Sequence, residues 1–184
     1  MVLAISIVYF LIEPQRNVPE GFYDARDRSE GLAETIQQLT RQSLTRLAQI
    51  AEFDEQGNAS AALNLISQEI SEHRKSQEIA AQLGSQMEIM ARLISDIKPA
   101  AARDLAAESV SAGVALVSRL VTYNQLLGDL FGVLQLKMIN LKNDPSLDGR
   151  VNLLVNQIND QAKAINQFNQ RINSATAKFN EAIQ

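Results

Sequence analysis

The chain contains no cysteine. Disulfides, thiolate nucleophiles and cysteine-ligated zinc are therefore excluded, and the redox compartment stays open. Tryptophan is absent and aromatics make up only 5% of the 184 residues. With Ala, Leu, Ile, Gln and Asn dominant, that profile disfavours a sheet sandwich, which draws on Val, Thr and Tyr. Basic charge does not accumulate either: 17 Lys and Arg stand against 21 Asp and Glu, for a formal net charge of -4. A phosphate backbone needs a basic face, so no nucleic-acid partner is expected. With one histidine and no close carboxylate pair, no Ser/His/Asp or Cys/His arrangement forms. The expectation is a non-enzyme with no catalytic residue, no metal and no cofactor.

Long apolar runs are scarce as well, with one exception. Residues 1–12, MVLAISIVYFLI, carry no charge and only Ser6 as a clearly polar residue. As a helix they would cover roughly 18 Å, short of the ~30 Å hydrocarbon core. No basic segment precedes them and no A-x-A pattern follows. Three readings are open: part of a membrane anchor whose first turns are missing from the sequence, a weak interfacial anchor, or a buried first helix or strand. The first is preferred, with attachment to a membrane and the extracytoplasmic side favoured. Residues 13–22 include Pro14, Pro19 and Gly21, which stop a helix and form a short stiff spacer.

Residues 23–184 read as one all-α domain, an elongated antiparallel bundle of three long helices and one shorter one. The last helix has a near-perfect heptad: Val151, Leu154, Ile158, Gln161, Ile165, Phe168, Ile172, Ala175, Phe179 and Ala182. The first is expected over 23–53, with Leu32, Ile36, Leu39, Leu47 and Ile50 inward, and Gly57 supplies a left-handed stop. Asn58 then caps a second helix over 59–97, whose seam runs Leu63, Ile66, Ile70, His73, Gln77, Ala80, Gly84, Met87, Ala91 and Ile94. Lys98-Pro99 is either a hairpin turn or a kink. The third helix, 100–142, carries a seam through Val110, Leu120, Asn124, Phe131, Met138 and Leu141, with a second stripe through Leu116, Tyr123, Leu126, Leu130 and Val133. Arg119, Asn124, Gln125 and Asp129 argue against its being a membrane span. The break at 143–149 precedes the fourth helix. Ile70 and Leu120 should be buried, and the turns at Gly57 and Pro145 exposed.

His73 lies on the second seam with Glu69 one turn back, which would suit a metal site or a pH switch. Metal bundles, however, use Glu-x-x-His from two helices, and the residue three before His73 is Ile70. A structural histidine is the simpler reading. His73, Gln77, Asn124 and Gln161 are the polar seam positions and form a candidate buried polar layer, which fixes register or lines a small ligand cavity. Gly128 and Gly132 suit close helix approach. Amides crowd the fourth helix, and Asn166, Asn169 and Asn173 are the candidate partner surface.

Arg171-Ile172 followed by Phe179-Asn180-Glu181-Ala182-Ile183, with Phe168-Asn169 as a second aromatic-Asn pair, resembles the closing helix of LemA-type proteins. The resemblance covers part of the fourth helix and implies a membrane-anchored bacterial helical bundle. That family's first long helix, with paired arginines and a Leu-Ile-Pro-Asn-Leu run, has no counterpart here. The expected function is a scaffold or protein-docking module at the cell envelope, with a protein partner or self-association. The alternative is an extracytoplasmic sensory bundle holding a small ligand between helices near Asn124 and Gln161.

Overall fold

The computed structural model describes residues 17–140 and 144–183. The proposed anchor, 1–12, and the first part of the spacer lie outside the described residues, as do Leu141, Lys142 and the side chain of Pro145. Among the described residues the chain is all-helical: α1 Glu20–Glu55, α2 Ala59–Leu93, a 3-10 turn Ile94–Asp96, α3 Ala100–Asn140 and α4 Pro145–Ala182. No strand occurs among them.

The turns follow from local chemistry. Gly57 adopts φ 72°, the left-handed value that an L side chain resists. Asn58 accepts from the Ala61 amide at 3.2 Å and opens α2. At the other end of α2, Ile97 turns extended at ψ 134°, so Lys98-Pro99 is a hairpin turn and not a kink. Its peptide bond is cis. Asp144 accepts from the Ser146 amide at 2.8 Å, and hydrogen bonding to the Ser146 side chain, then to its amide, holds the Asp144 carboxyl below the usual carboxylate range. With Pro145 in the first turn, α4 therefore starts at Pro145 and runs through Gly149, where the sequence reading had a break.

The expected shorter helix is not short. α1 has 36 residues, against 35, 41 and 38 for the others. Pro19 sits at its N-cap, where a missing amide costs nothing, so the proline starts the helix and does not merely end a spacer. Val18 and Phe22, assigned above to the spacer, belong to the core at 3% and 1% exposure. The Asn17 carbonyl accepts from the Lys98 amide at 2.7 Å and ties this end of the chain to the α2–α3 turn.

Close backbone packing runs between consecutive helices, α1 on α2, α2 on α3 and α3 on α4. The α2–α3 register sets Gly113 against Met87, Gly84 against Val117 and Gly128 against His73. On α2 the buried line is Ala62, Ile66, Glu69, Ser76, Ala80, Leu83, Met87 and Met90. That line has the expected period but is turned by about one residue, because α2 packs on two neighbours and its buried arc faces between them. Ile70 is therefore half-buried where burial was expected, while Leu120 is buried and Gly57 exposed, as expected.

Apolar side chains form two clusters. One holds Val18, Phe22, Leu83, Met87, Ile97, Ala106, Leu116, Leu120 and Phe179, with the Phe22 and Phe179 rings 5.8 Å apart. The other holds Ile50, Ile66, Tyr123, Phe131, Val133, Leu147 and Ile158, at the opposite end. α3 contributes to both. By length and composition Ala100–Ile139 is apolar enough to cross a membrane, so its polar residues do not exclude a span in the way the sequence suggested. Such a helix fits membrane association and the core of a soluble bundle equally, and it defines no side.

Candidate functional site

In a closed four-helix bundle α1 and α4 would meet edge to edge. Here they meet at one end, where Phe22 packs on Phe179, and a groove separates them beyond it. The groove-facing positions of α1 recur at helical spacing as Glu30, Ala33, Glu34, Gln37 and Thr40, and those of α4 as Ala162, Ile165, Asn166, Asn169 and Asn173. Apart from Ile165, and Leu44 farther along α1, these are small or polar residues at places where a closed seam would carry leucines, so the walls have little apolar bulk to bring across. The floor is supplied by Ile36 of α1 and by Leu116, Leu120 and Tyr123 of α3. The open part has a volume of about 500 Å³. A narrower cleft of about 190 Å³ continues from it past Arg26 and Ser29 to Leu83, Met87, Met90 and Gly113.

Charge on the open part of the groove is one-sided. Glu30 and Glu34, one helical turn apart and both exposed, make no ion pair among the described residues. The α4 wall opposite is uncharged, with the amides of Asn166, Asn169 and Asn173 beside Ala162 and Ile165. At the cleft end the Arg26 guanidinium lies 5.0 Å over the Tyr23 ring, and its buried Nε has no hydrogen-bond partner among the described residues, with Asp27 Oδ1 in ion-pair range at 3.5 Å. Asn166, Asn169 and Asn173, the candidate partner surface, are all exposed and all on the groove wall. They face the inner groove, not the outer side of the bundle.

The other polar feature is a belt between the two apolar clusters. His73 and Gln77 meet, with Nε2 to Nε2 at 3.3 Å, but His73 is half-buried and Gln77 exposed. Burial pushes the His73 pKa below its ordinary value, against the opposing pull of the Glu69 and Asp129 charges. Asn124 is 4% exposed, and its Nδ2 has no partner among the described residues. The register places it level with Gln77. Gln161 instead accepts from Arg119 of α3 at 3.4 Å on the α3–α4 flank. The four residues therefore share a region without forming one buried layer, because the rotation of α2 carries Gln77 out to solvent.

The most buried charge in the belt is Glu69, weighed from the sequence only as a partner for His73; its pairing with α1 was not foreseen. Glu69, at 1% exposure, accepts from Arg46 of α1. The one available signal was an acid and a base, each beside an apolar seam position, on two helices joined by a short turn. No group of three or more His, Asp or Glu suited to a metal occurs among the described residues.

No family model, no curated protein and no solved structure matches the chain. The likeness to LemA-type proteins is confined to the residues quoted for it.

Proposed function

We propose that this protein is a non-catalytic, membrane-tethered bundle that docks a segment of another protein in the α1–α4 groove. The open groove carries the reading: an apolar floor with a polar rim is the arrangement of peptide-binding clefts. Residues Arg26 to Leu44 of α1 line it from end to end, a span of roughly 27 Å at 1.5 Å per residue. The tether is the apolar segment 1–12, joined by a short proline-containing stretch to the Asn17 and Val18 attachment. The extracytoplasmic side is favoured.

Two experiments test this. Full-length protein should pellet with membranes and resist alkali, and removing residues 1–16 should give a soluble, folded bundle. The cut must spare Asn17 and Val18, since a deletion through Glu20 would remove core. A photoreactive residue at position 169 should crosslink a partner in membranes, whereas one at exposed position 68 should not. Crosslinking from both sites alike, or from neither, refutes groove docking. A second reading, a small ligand between helices, is favoured by the narrow cleft beside Met87 and Met90. That cleft lies away from the Asn124 and Gln161 level expected for it. A reproducible ligand-dependent thermal shift, removed by filling the cleft, would select it over docking.

A further inference from the structure

The docking reading leaves the chemistry of the partner open, and the groove itself narrows it. We infer that the occupant is an amphipathic α-helix with an apolar stripe flanked on one side by lysine or arginine. This rests on the docking reading and adds secondary structure and charge to it.

The argument has three parts. First, both walls are helices, whose backbone groups are already paired within each helix. An extended peptide would find no main-chain ladder and would bring unpaired amides over Leu116, Leu120 and Ile165, whereas a helix satisfies its own backbone. Second, the floor is an apolar strip running from Val110 to Tyr123 of α3, roughly 20 Å at 1.5 Å per residue, the length of between three and four helical turns. A helix with apolar residues at i, i+3, i+4 and i+7 presents a stripe of that form.

Third, the walls differ in charge. Glu30 and Glu34 stand on α1 with no cation paired to either among the described residues, while α4 offers neutral amides. A basic flank on the α1 side gains two charge pairs, and an acidic flank meets repulsion. The asymmetry also sets how the partner helix is rotated about its axis.

The test uses the full chain in detergent micelles and two labelled 18-residue helical peptides. They share one leucine stripe and carry either lysine or glutamate along one flank, and binding is read by fluorescence anisotropy. The lysine peptide should bind at least tenfold more tightly at low salt, and the gap should shrink as salt rises. The double variant Glu30→Gln/Glu34→Gln should remove that preference while leaving residual binding, with unchanged thermal stability because both side chains are exposed. Equal binding of both peptides overturns the charge assignment and leaves groove docking standing. Binding of neither, with crosslinking still seen from position 169, overturns the helical partner alone. Crosslinking from position 169 to a second copy, with a dimer by sedimentation, replaces the inferred partner by self-association.

Discussion

Alanine substitution at the glycines of α2 and α3 tests the packing quantitatively, since the same added methyl meets four different surroundings. In a helix interior Gly→Ala gains about 0.5–1 kcal/mol from backbone entropy and propensity alone. At Gly132 a Cβ would meet nothing within 4 Å, and at Gly84 it would lie 3.6 Å from Val117 Cγ1, an ordinary contact. Both variants should show the full gain. At Gly128 the Cβ comes 3.0 Å from His73 Nε2, so the half-buried ring must retreat and the gain should be cancelled. At Gly113 it comes 2.4 Å from Met87 Sδ, so the Met87 side chain, 7% exposed and in contact with the narrow cleft, must shift from its packed position. Overpacking of this kind costs about 1–3 kcal/mol and offsets or outweighs the propensity gain, for a net loss of up to about 2.5 kcal/mol. Both variants carry the same gain, so Gly132→Ala and Gly113→Ala should differ by the overpacking cost, about 1–3 kcal/mol, or ~2–12 °C in Tm for a chain of this size. Urea and thermal unfolding followed by far-UV circular dichroism measure both. If G113A is as stable as G132A, Met87 does not pack on Gly113, and the α2–α3 register is wrong.

The Arg46–Glu69 pair gives a contrast of a different kind. Arg46→Ala strands a buried carboxylate and should cost about 2–4 kcal/mol, somewhat under the usual range because Arg46 keeps 27% exposure and water can reach the site. Glu69→Met removes the charge and keeps the volume, so urea midpoints should place it within about 1 kcal/mol of the parent; equal damage from both changes would sink this account. Because burial lowers the folded-state pKa of His73 below 6.5, the unfolded chain takes up a proton first as pH falls. The His73 contribution is complete above about pH 6.5 and is lost as pH drops toward the folded-state pKa; His73→Gln should flatten that part of the stability–pH curve, and an unchanged curve refutes the assignment. Asn166 and Asn173 are exposed, so replacing both by lysine should change stability by no more than about 0.5 kcal/mol while abolishing crosslinking from the photoreactive residue at position 169.

Helix content and most boundaries were legible because they rest on local signals. Gly57 and Asn58 act within a few residues of themselves, and the heptad of α4 needs no knowledge of its partner. The start of α1 was missed because Pro19 is compatible with both a spacer and a helix start. Only the burial of Phe22 against Phe179, on the last helix, selects between them. The rotation of α2 was hidden for a similar reason, since a seam read from one helix points at one neighbour and α2 has two. Of the site, the amides at 166, 169 and 173 were visible as a face. That Glu30 and Glu34 stand across from them depends on which helices become neighbours, and no local pattern encodes that. Arg46 and Glu69 are 23 positions apart and lie beside their seams, not on them.

The belt that holds Glu69, Ser76 and Asn124 also divides the bundle as a mechanical object. Apolar contact is nearly continuous within each cluster, but among the described residues Ile165 is the one side chain packed against both. Cooperativity is carried by shared contact, so it weakens at that level. The half built on Ile50, Ile66 and Phe131 contains both the α1–α2 and α3–α4 turns. It can open as a unit while the half closed by Phe22 and Phe179 holds. Amide protons of the two halves then exchange with two distinct opening free energies, and the cleft beside Met87 stays intact through the lesser of the two.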